Sequence, residues 1–262
     1  MPPRPRLVAL DIDGTIVHGR NPPSPAVRDA IAAATRHAEV MLCTGRTVIG
    51  VATALDELGL TGGVTLTSNG AVEMDTASRV VRSVARFDVT AALSRLRELF
   101  PGAVFAGEHV GVGQRVSAPF PDGLLAGTVT EVGIEGIVAE PTPKLIAYWP
   151  GRTPAETAAR AAGLVVDDAT VTLDHELPWV TLVPAGVSKA SGLARVAARL
   201  GIRAEEVLAV GDGDNDRAML RWAGHGVAMG QAPPEVRADA DEVTGTVADD
   251  GLATALRRWF QA

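Results

Sequence analysis

The stretch LVALDIDGTIVHG (Leu7–Gly19) opens as an apolar strand, Leu7-Val8-Ala9-Leu10, and then carries two carboxylates, Asp11 and Asp13, followed by Gly14 and Thr15. Aspartate is depleted from strands because its charge is costly to bury. A strand that delivers two aspartates to its end needs something there to offset that cost.

Working outward, PPSPAVRDAIAAATRH reads as a helix with Ser24 as N-cap, Pro25 at its first position and Ala/Ile/Val periodicity. AEVMLCTG follows as strand and turn, TVIGVATALDELG as a helix closed by Gly59, and GGVTLTSNGA as strand and turn. This β-α-β-α-β order argues for a parallel sheet with covering helices. The far end repeats the pattern: VSKASGLARVAARLG is a helix, EEVLAVGDGDND a strand running into acidic residues, and DRAMLRWAG a helix. HGVAMG is then a short strand, and DDGLATALRRWF closes as a helix.

The middle differs. From about Arg79 to Val183, RVVRSVARF, KLIAYWP, TVTLDHE and WVTLVP are strand-like, and VTAALSRLRELF and TPAETAARAAG are helical. Gly/Pro-rich connectors such as SAPFPDGLLAG separate them. Residues 1–78 and 184–262 are therefore expected to form one α/β core, with an α+β domain at 79–183 inserted into it.

At 262 residues the chain is long enough for two ordinary domains. With 47% hydrophobic and 21% charged residues it is too apolar for disorder, and with only 4% aromatics its core falls to Ala, Val and Leu. The net charge of −7 and the lack of any Lys/Arg cluster argue against nucleic acid or an anionic membrane as partner. The single cysteine, Cys43, can form no internal disulfide. No apolar run approaches the roughly 18 residues of a spanning helix, and the first residues lack the apolar region of a signal peptide. A cytoplasmic location is the expectation. Five scattered histidines at no metal-ligand spacing make a zinc site a poor reading.

In a parallel α/β sheet, ligands bind beyond the carboxyl ends of the strands. Each unusual polar cluster falls at such an end: Asp11 and Asp13, Thr44-Gly45-Arg46, Ser68-Asn69-Gly70, and Asp212 to Asp216. TGR or SNG alone reads as a capped turn, whereas Asp11-x-Asp13-Gly14-Thr15 directly after an apolar strand reads as a site. Together at one rim they read as one site. A calcium loop is excluded, because that template needs Gly in its sixth place and Glu in its twelfth, where DGDND offers Arg217 and Ala223. What remains is a set of carboxylates suited to Mg²⁺, a cation that commonly meets phosphate. Lys189, in the first turn of a helix, opposes the helix dipole. It is either a solvated surface lysine or the partner of an anion at that helix start.

In this order, DIDGT, TGR, SNGA, a lysine before a late helix, GDGDND and GVAMG resemble the haloacid dehalogenase superfamily, most closely its Cof-type phosphatases. The resemblance covers essentially the whole chain and implies a Rossmann-like parallel-sheet core with an inserted α+β cap. It also implies that Asp11 is the nucleophile forming an aspartyl-phosphate and that Asp13 is the acid/base. Thr44 and Gly45, helped by Lys189 and Asn215, would bind the phosphoryl group, with Arg46 and Asn69 as further candidates. Mg²⁺ would sit on Asp11, the backbone carbonyl of Asp13, Asp212 and Asp216. Gln231 stands where the family often has Asn, and Ala248-Asp249 where it often has Asn-Asp, so phosphate contacts are not expected from those loops.

Electrostatics supports the same assignment. A carboxylate facing a phosphate dianion at ~4 Å is repelled by roughly 8 kcal/mol at an effective dielectric of 20, which is about six decades in rate. A divalent cation and Lys189 together can cancel repulsion of that size. The expected activity is a Mg²⁺-dependent phosphatase of a small phosphorylated metabolite, such as a sugar phosphate. A sugar-phosphate mutase and a phospho-accepting regulator are the alternatives. Cys43 is expected to be a buried hydrophobe, His18 a turn residue, and Trp149 and Trp179 cap core. Specificity is assigned to the cap, with Glu108, His109 and Arg115 as candidate contacts.

Overall fold

The computed structural model describes residues 4–19 and 21–260. Strand β1 (Leu7–Leu10) leads to α1 (Pro25–Thr35), β2 (Glu39–Leu42), α2 (Ala52–Leu58), β3 (Val64–Thr67), β4 (Val72–Asp75) and β5 (Val81–Val84). There follow α3 (Thr90–Leu99), β6 (Val104–His109), β7 (Gly113–Val116), β8 (Thr128–Glu131), α4 (Gly133–Val138), β9 (Leu145–Tyr148), α5 (Pro154–Ala161), β10 (Ala169–Leu173) and β11 (Trp179–Pro184). The chain closes with α6 (Lys189–Leu200), β12 (Val207–Gly211), α7 (Arg217–Trp222), β13 (His225–Ala228), α8 (Pro234–Arg237), β14 (Glu242–Val243) and α9 (Gly251–Arg257).

All four residues of β1 are at most 1% exposed, as befits a parallel strand covered on both faces. Alternation sends Val8 and Leu10 towards α1, α2 and α9, and Leu7 and Ala9 towards α6, α7 and α8. The parallel sheet runs β14-β13-β12-β1-β2. It continues to β3 through the parallel bridge Cys43–Leu66. The chain leaves β1 towards β2 on one side and returns through β12 on the other. Asp11 thus lies where the strand order reverses, the position at which open α/β sheets bind ligands.

Local chemistry explains the boundaries of these elements. Ser24 caps α1, its Oγ accepting from Val27 N at 3.1 Å, and Gly59 ends α2 in the left-handed region. Helix α2 begins at Ala52 rather than Thr47, because Thr47 Oγ1 accepts from Gly50 N (3.1 Å) and holds a turn there. The segment RVVRSVARF supplies β5, which pairs with β4 as the outer strand of a β3-β4-β5 antiparallel sheet.

The second sheet has the order β10-β11-β9-β6-β7-β8 and is antiparallel except between β7 and β8. Phe105, Leu145 and Ala147 on one face pack with Leu93, Leu96 and Ile137 of α3 and α4. The other face turns to the core across a cavity of about 710 Å³. The parallel-sheet core and the additional cap sheet match the expected fold class. Strands β6, β7 and β8 and helix α4 are additions that the sequence pattern did not reveal. Among the described residues, no helix is long and apolar enough to cross a membrane.

Candidate active site

Past β1 the chain turns sharply: Ile12 O accepts from the N–H groups of Thr15, Ile16 and Val17 at 2.9–3.2 Å. Gly14 sits at φ +80°, and a Cβ there would lie 2.0 Å from Asp212 Oδ2. Only glycine lets the DIDGT turn approach the end of β12 so closely. Beyond β12, Asp216 Oδ2 accepts from the N–H of Asp212 (3.1 Å) and of Gly213 (3.0 Å), which locks the acidic loop.

The carboxylates of Asp11, Asp212 and Asp216 are all buried, each with an oxygen within 4.8 Å of the others. Lys189, the first residue of α6 behind its N-cap Ser188, is fully buried. Its Nζ donates to Asp11 Oδ1 (2.6 Å) and to Asp216 Oδ1 (2.7 Å). These two carboxylates are the anions that its place at a helix start called for, and the solvated-lysine reading falls.

One lysine against three carboxylates leaves two negative charges without a counter-charge. Burial, reinforced by Asp216, Asp212 and Asp13 against the opposing pull of Lys189, drives Asp11 well above the carboxylate range. Burial, and then Asp216, push Asp212 up to about 7. Burial works against the charge on Lys189, but Asp11 and Asp216 outweigh it and raise its pKa. A hard-oxygen donor set with excess negative charge fits a divalent cation.

Asp13 lies outside this cluster but lines the same cavity, and its side chain is half exposed. Arg46 grips it through both oxygens, Nε to Oδ2 at 2.9 Å and Nη2 to Oδ1 at 2.6 Å. Arg46, expected on the phosphate, here holds Asp13. Thr44 is buried, its Oγ1 accepting from Arg46 N (3.0 Å). Asn69 Oδ1 accepts from Asn215 Nδ2 (2.9 Å), which joins the SNG and DGDND loops. Ser68, Asn69 and Gly70 all have positive φ, at 51°, 54° and 88°. A Cβ on Gly70 would meet Ser188 O at 2.3 Å, so this glycine lets the turn abut the start of α6 and fix Lys189.

The loops thus brought to one rim are those that the sequence singled out. A family model of haloacid dehalogenase-like hydrolases matches residues 8–99 and 155–256. The chain belongs to the haloacid dehalogenase-like hydrolases. Among relatives of this hydrolase, YxeH of Bacillus subtilis (strain 168) is 30% identical, over 96% of this chain and 97% of that protein. BT1666 of Bacteroides thetaiotaomicron, a solved phosphatase of the superfamily, is 26% identical with a TM-score of 0.78, covering 97% of this chain and 95% of its own. The subclass IIB sugar phosphatase BT4131 is 23% identical and shares the fold at a TM-score of 0.81, over 97% and 98% of the two chains.

Gln231 Nε2 donates to Gly14 O (2.6 Å) and Asp212 Oδ2 (3.3 Å), while its Oε1 accepts from Val247 N. It therefore steadies Asp212. Asp249 bonds within its own turn, to Thr246 Oγ1 at 2.6 Å. Cys43 is buried and burial raises its thiol, consistent with a hydrophobe's role. His18 is an exposed turn residue. Trp149 packs edge-on against Phe100 in the cap core. Trp179, also expected in the cap core, instead lines the cavity, its Nε1 donating to Asp174 Oδ2 at 2.8 Å.

Of the three candidate cap contacts, Arg115 points to the helix side and pairs with Glu140 (3.0 Å), and His109 is exposed at the end of β6. Glu108 alone turns to the core, accepting from Ser68 Oγ. Lys144 and His175 face the core from the cap without having been singled out in the sequence. Lys144 Nζ reaches Gly45 O at 2.8 Å, and His175 Nε2 lies 3.7 Å from Asp212 Oδ2. Both contacts join residues far apart in the chain, so no local pattern signals them.

Proposed function

We propose that this hydrolase is a Mg²⁺-dependent phosphatase that removes the phosphoryl group from a small phosphorylated metabolite of the sugar-phosphate kind. The observation that carries this reading is the buried Asp11–Asp212–Asp216 cluster, short of positive charge, at a cavity of about 710 Å³ between core and cap. A cavity of that volume suits a metabolite rather than a polymer. Asp11, Asp212, Asp216 and the backbone carbonyl of Asp13 would hold the cation. When bound, Mg²⁺ would neutralise the charge that otherwise repels the phosphate from Asp11.

In the reaction proposed, an Asp11 carboxylate oxygen attacks phosphorus while the bond from phosphorus to the leaving oxygen breaks. Asp13 supplies the proton to that oxygen. It then takes a proton from the water that attacks the aspartyl-phosphate, releasing inorganic phosphate and restoring Asp11. Lys189 keeps Asp11 oriented and offsets part of its charge. Arg46 occupies both oxygens of Asp13 in this state, so proton transfer requires that pair to open when substrate enters. The TGR and SNG loops, with Asn215, would cradle the phosphoryl oxygens. The cap would read the leaving group, and residues 79–183 are proposed as its extent.

A screen of phosphate release over sugar phosphates, nucleotides and cofactor phosphates, with Mg²⁺ and with chelator, tests this reading. Mg²⁺-dependent release of inorganic phosphate supports it. Full activity in chelator contradicts the metal's role, and an isomerised phosphate ester without free phosphate points to a mutase.

A further inference from the structure

The cap does more than roof the cavity, because two of its charged side chains reach the loops of the floor. Lys144, at the entry to β9, and Glu108, on β6, are only 5% and 2% exposed. They are neighbours across the cap sheet, Glu108 N donating to Lys144 O at 3.0 Å, and each feels the other's opposite charge. Both side chains also leave the cap. Lys144 Nζ donates to Gly45 O (2.8 Å), and Glu108 Oε2 accepts from Ser68 Oγ.

Gly45 and Ser68 belong to the two loops proposed to bind phosphate, and those loops are already joined. Ser68 N donates to Arg46 O (2.8 Å), and Asn69 N donates to Thr44 O (3.0 Å). The peptide linking Gly45 to Arg46 is held on both sides, its carbonyl by Lys144 and its N–H by Thr44 Oγ1. The turn at Ser68 and Asn69 occupies the left-handed region, which a non-glycine residue keeps only where its surroundings enforce it.

We propose that Lys144 and Glu108 are positioning residues that set the Gly45–Arg46 peptide and the Ser68–Gly70 turn, so that the phosphate-binding loops take their working geometry only with the cap docked. The proposal rests on the phosphatase reading of the site. A purely mechanical joint has no need of this pair, since apolar residues of similar volume often replace a buried ion pair at no cost in stability. A role in reading the leaving group is the competing one, since Lys144 also lines the cavity and Glu108 Oε1 has no hydrogen-bond partner among the described residues, and a changed substrate ranking distinguishes it.

The test uses the full chain with Lys144→Met, Glu108→Gln and the two combined. It measures kcat on p-nitrophenyl phosphate and on a panel of sugar phosphates, the melting temperature, and the Kd of inorganic phosphate in saturating Mg²⁺. Displacement of a reacting group by about 1 Å costs on the order of 10²-fold, so Lys144→Met should lower kcat by roughly tenfold to a hundredfold on every substrate alike, with the substrate ranking unchanged. The combined variant leaves no buried charge unpaired. It should melt as wild type does and remain slow.

Wild-type kcat in a combined variant that melts normally would overturn the proposal, as would a changed substrate ranking with wild-type turnover of p-nitrophenyl phosphate. If the cap variants do not fold, Ser68→Ala removes the hydroxyl that Glu108 holds, and wild-type kcat there would overturn the Glu108 half. Phosphate binding separates the two readings. A wild-type chain that releases no phosphate counts against the phosphatase. A Kd for inorganic phosphate raised about tenfold by Lys144→Met still supports positioning, and an unchanged Kd contradicts it.

Discussion

Lys189 in the core and Lys144 in the cap are both withdrawn from water and both face carboxylates, yet their charges are held in opposite ways. Lys189 lies within 2.7 Å of both Asp11 and Asp216, and these two carboxylates overcome the burial that would otherwise discharge it. For Lys144 burial prevails over Glu108, and its pKa falls below the usual lysine value. Its nearest partner is a neutral carbonyl on the other side of the cavity. The core lysine is thus a fixed counter-charge to two buried carboxylates. The cap lysine is a charge whose satisfaction depends on the cap being docked.

The largest expected effect falls on the core. Asp11→Asn keeps the shape of the side chain and removes the proposed nucleophile, so kcat should drop by on the order of 10⁴-fold or more with a normal melting temperature. No cap substitution should approach that loss. Turnover within tenfold of wild type would dissolve the distinction between the two regions.

Next comes the fixed charge. Lys189→Met strands Asp11 and Asp216 as unpaired buried carboxylates, and breaking a buried pair in this way costs about 3–5 kcal/mol. A urea midpoint like that of wild type would show that Lys189 is not the counter-charge. The metal provides a smaller and reversible change. Mg²⁺ at about 100 times its Kd should add roughly 2.7 kcal/mol of stability, and Asp212→Ala should remove most of that gain. Equal thermal shifts in wild type and Asp212→Ala would take that carboxylate out of the metal site.

The smallest effect belongs to the cap pair and appears as a slope with pH. Burial raises Glu108 above its ordinary value of 4.5, against Lys144 and Ser68. Between that value and the raised one the native state binds more protons than the unfolded chain, so this group's contribution to stability falls as pH rises. Relative to Glu108→Gln, wild type should therefore lose stability with rising pH across that window. Urea midpoints for the two proteins, compared pH by pH, give the sign, and a difference that grows in wild type's favour would contradict it.

The same contrast explains what could be read from the sequence. Asp11, Thr44, Asn69 and Asp212 follow strands at positions where their residue types are out of place for packing, so each is conspicuous locally and their order along the chain is informative. The core helices were equally legible through Ser24, Gly59 and the apolar periodicity of Leu193, Val196 and Ala197. The cap offered less. Every residue of β8 is exposed, so it carries no inside–outside alternation, and β6 follows three apolar residues with Gly107, Glu108 and His109. The Arg46–Asp13, Lys144–Gly45 and Glu108–Ser68 contacts each join residues 33 or more positions apart. Their partners are set by how the sheets face one another, which no window of sequence contains.

The central claim, that Asp11 takes the phosphoryl group, is tested most directly by quenching a reacting mixture of enzyme and p-nitrophenyl phosphate in acid and mapping the phosphorylated peptide by mass spectrometry. Wild type should carry one phosphoryl group on Asp11, labile to hydroxylamine. Asp13→Asn should slow both its appearance and its loss, and Asp11→Asn should carry none. A phosphoryl group on another residue, or normal turnover by Asp11→Asn without one, would contradict the account.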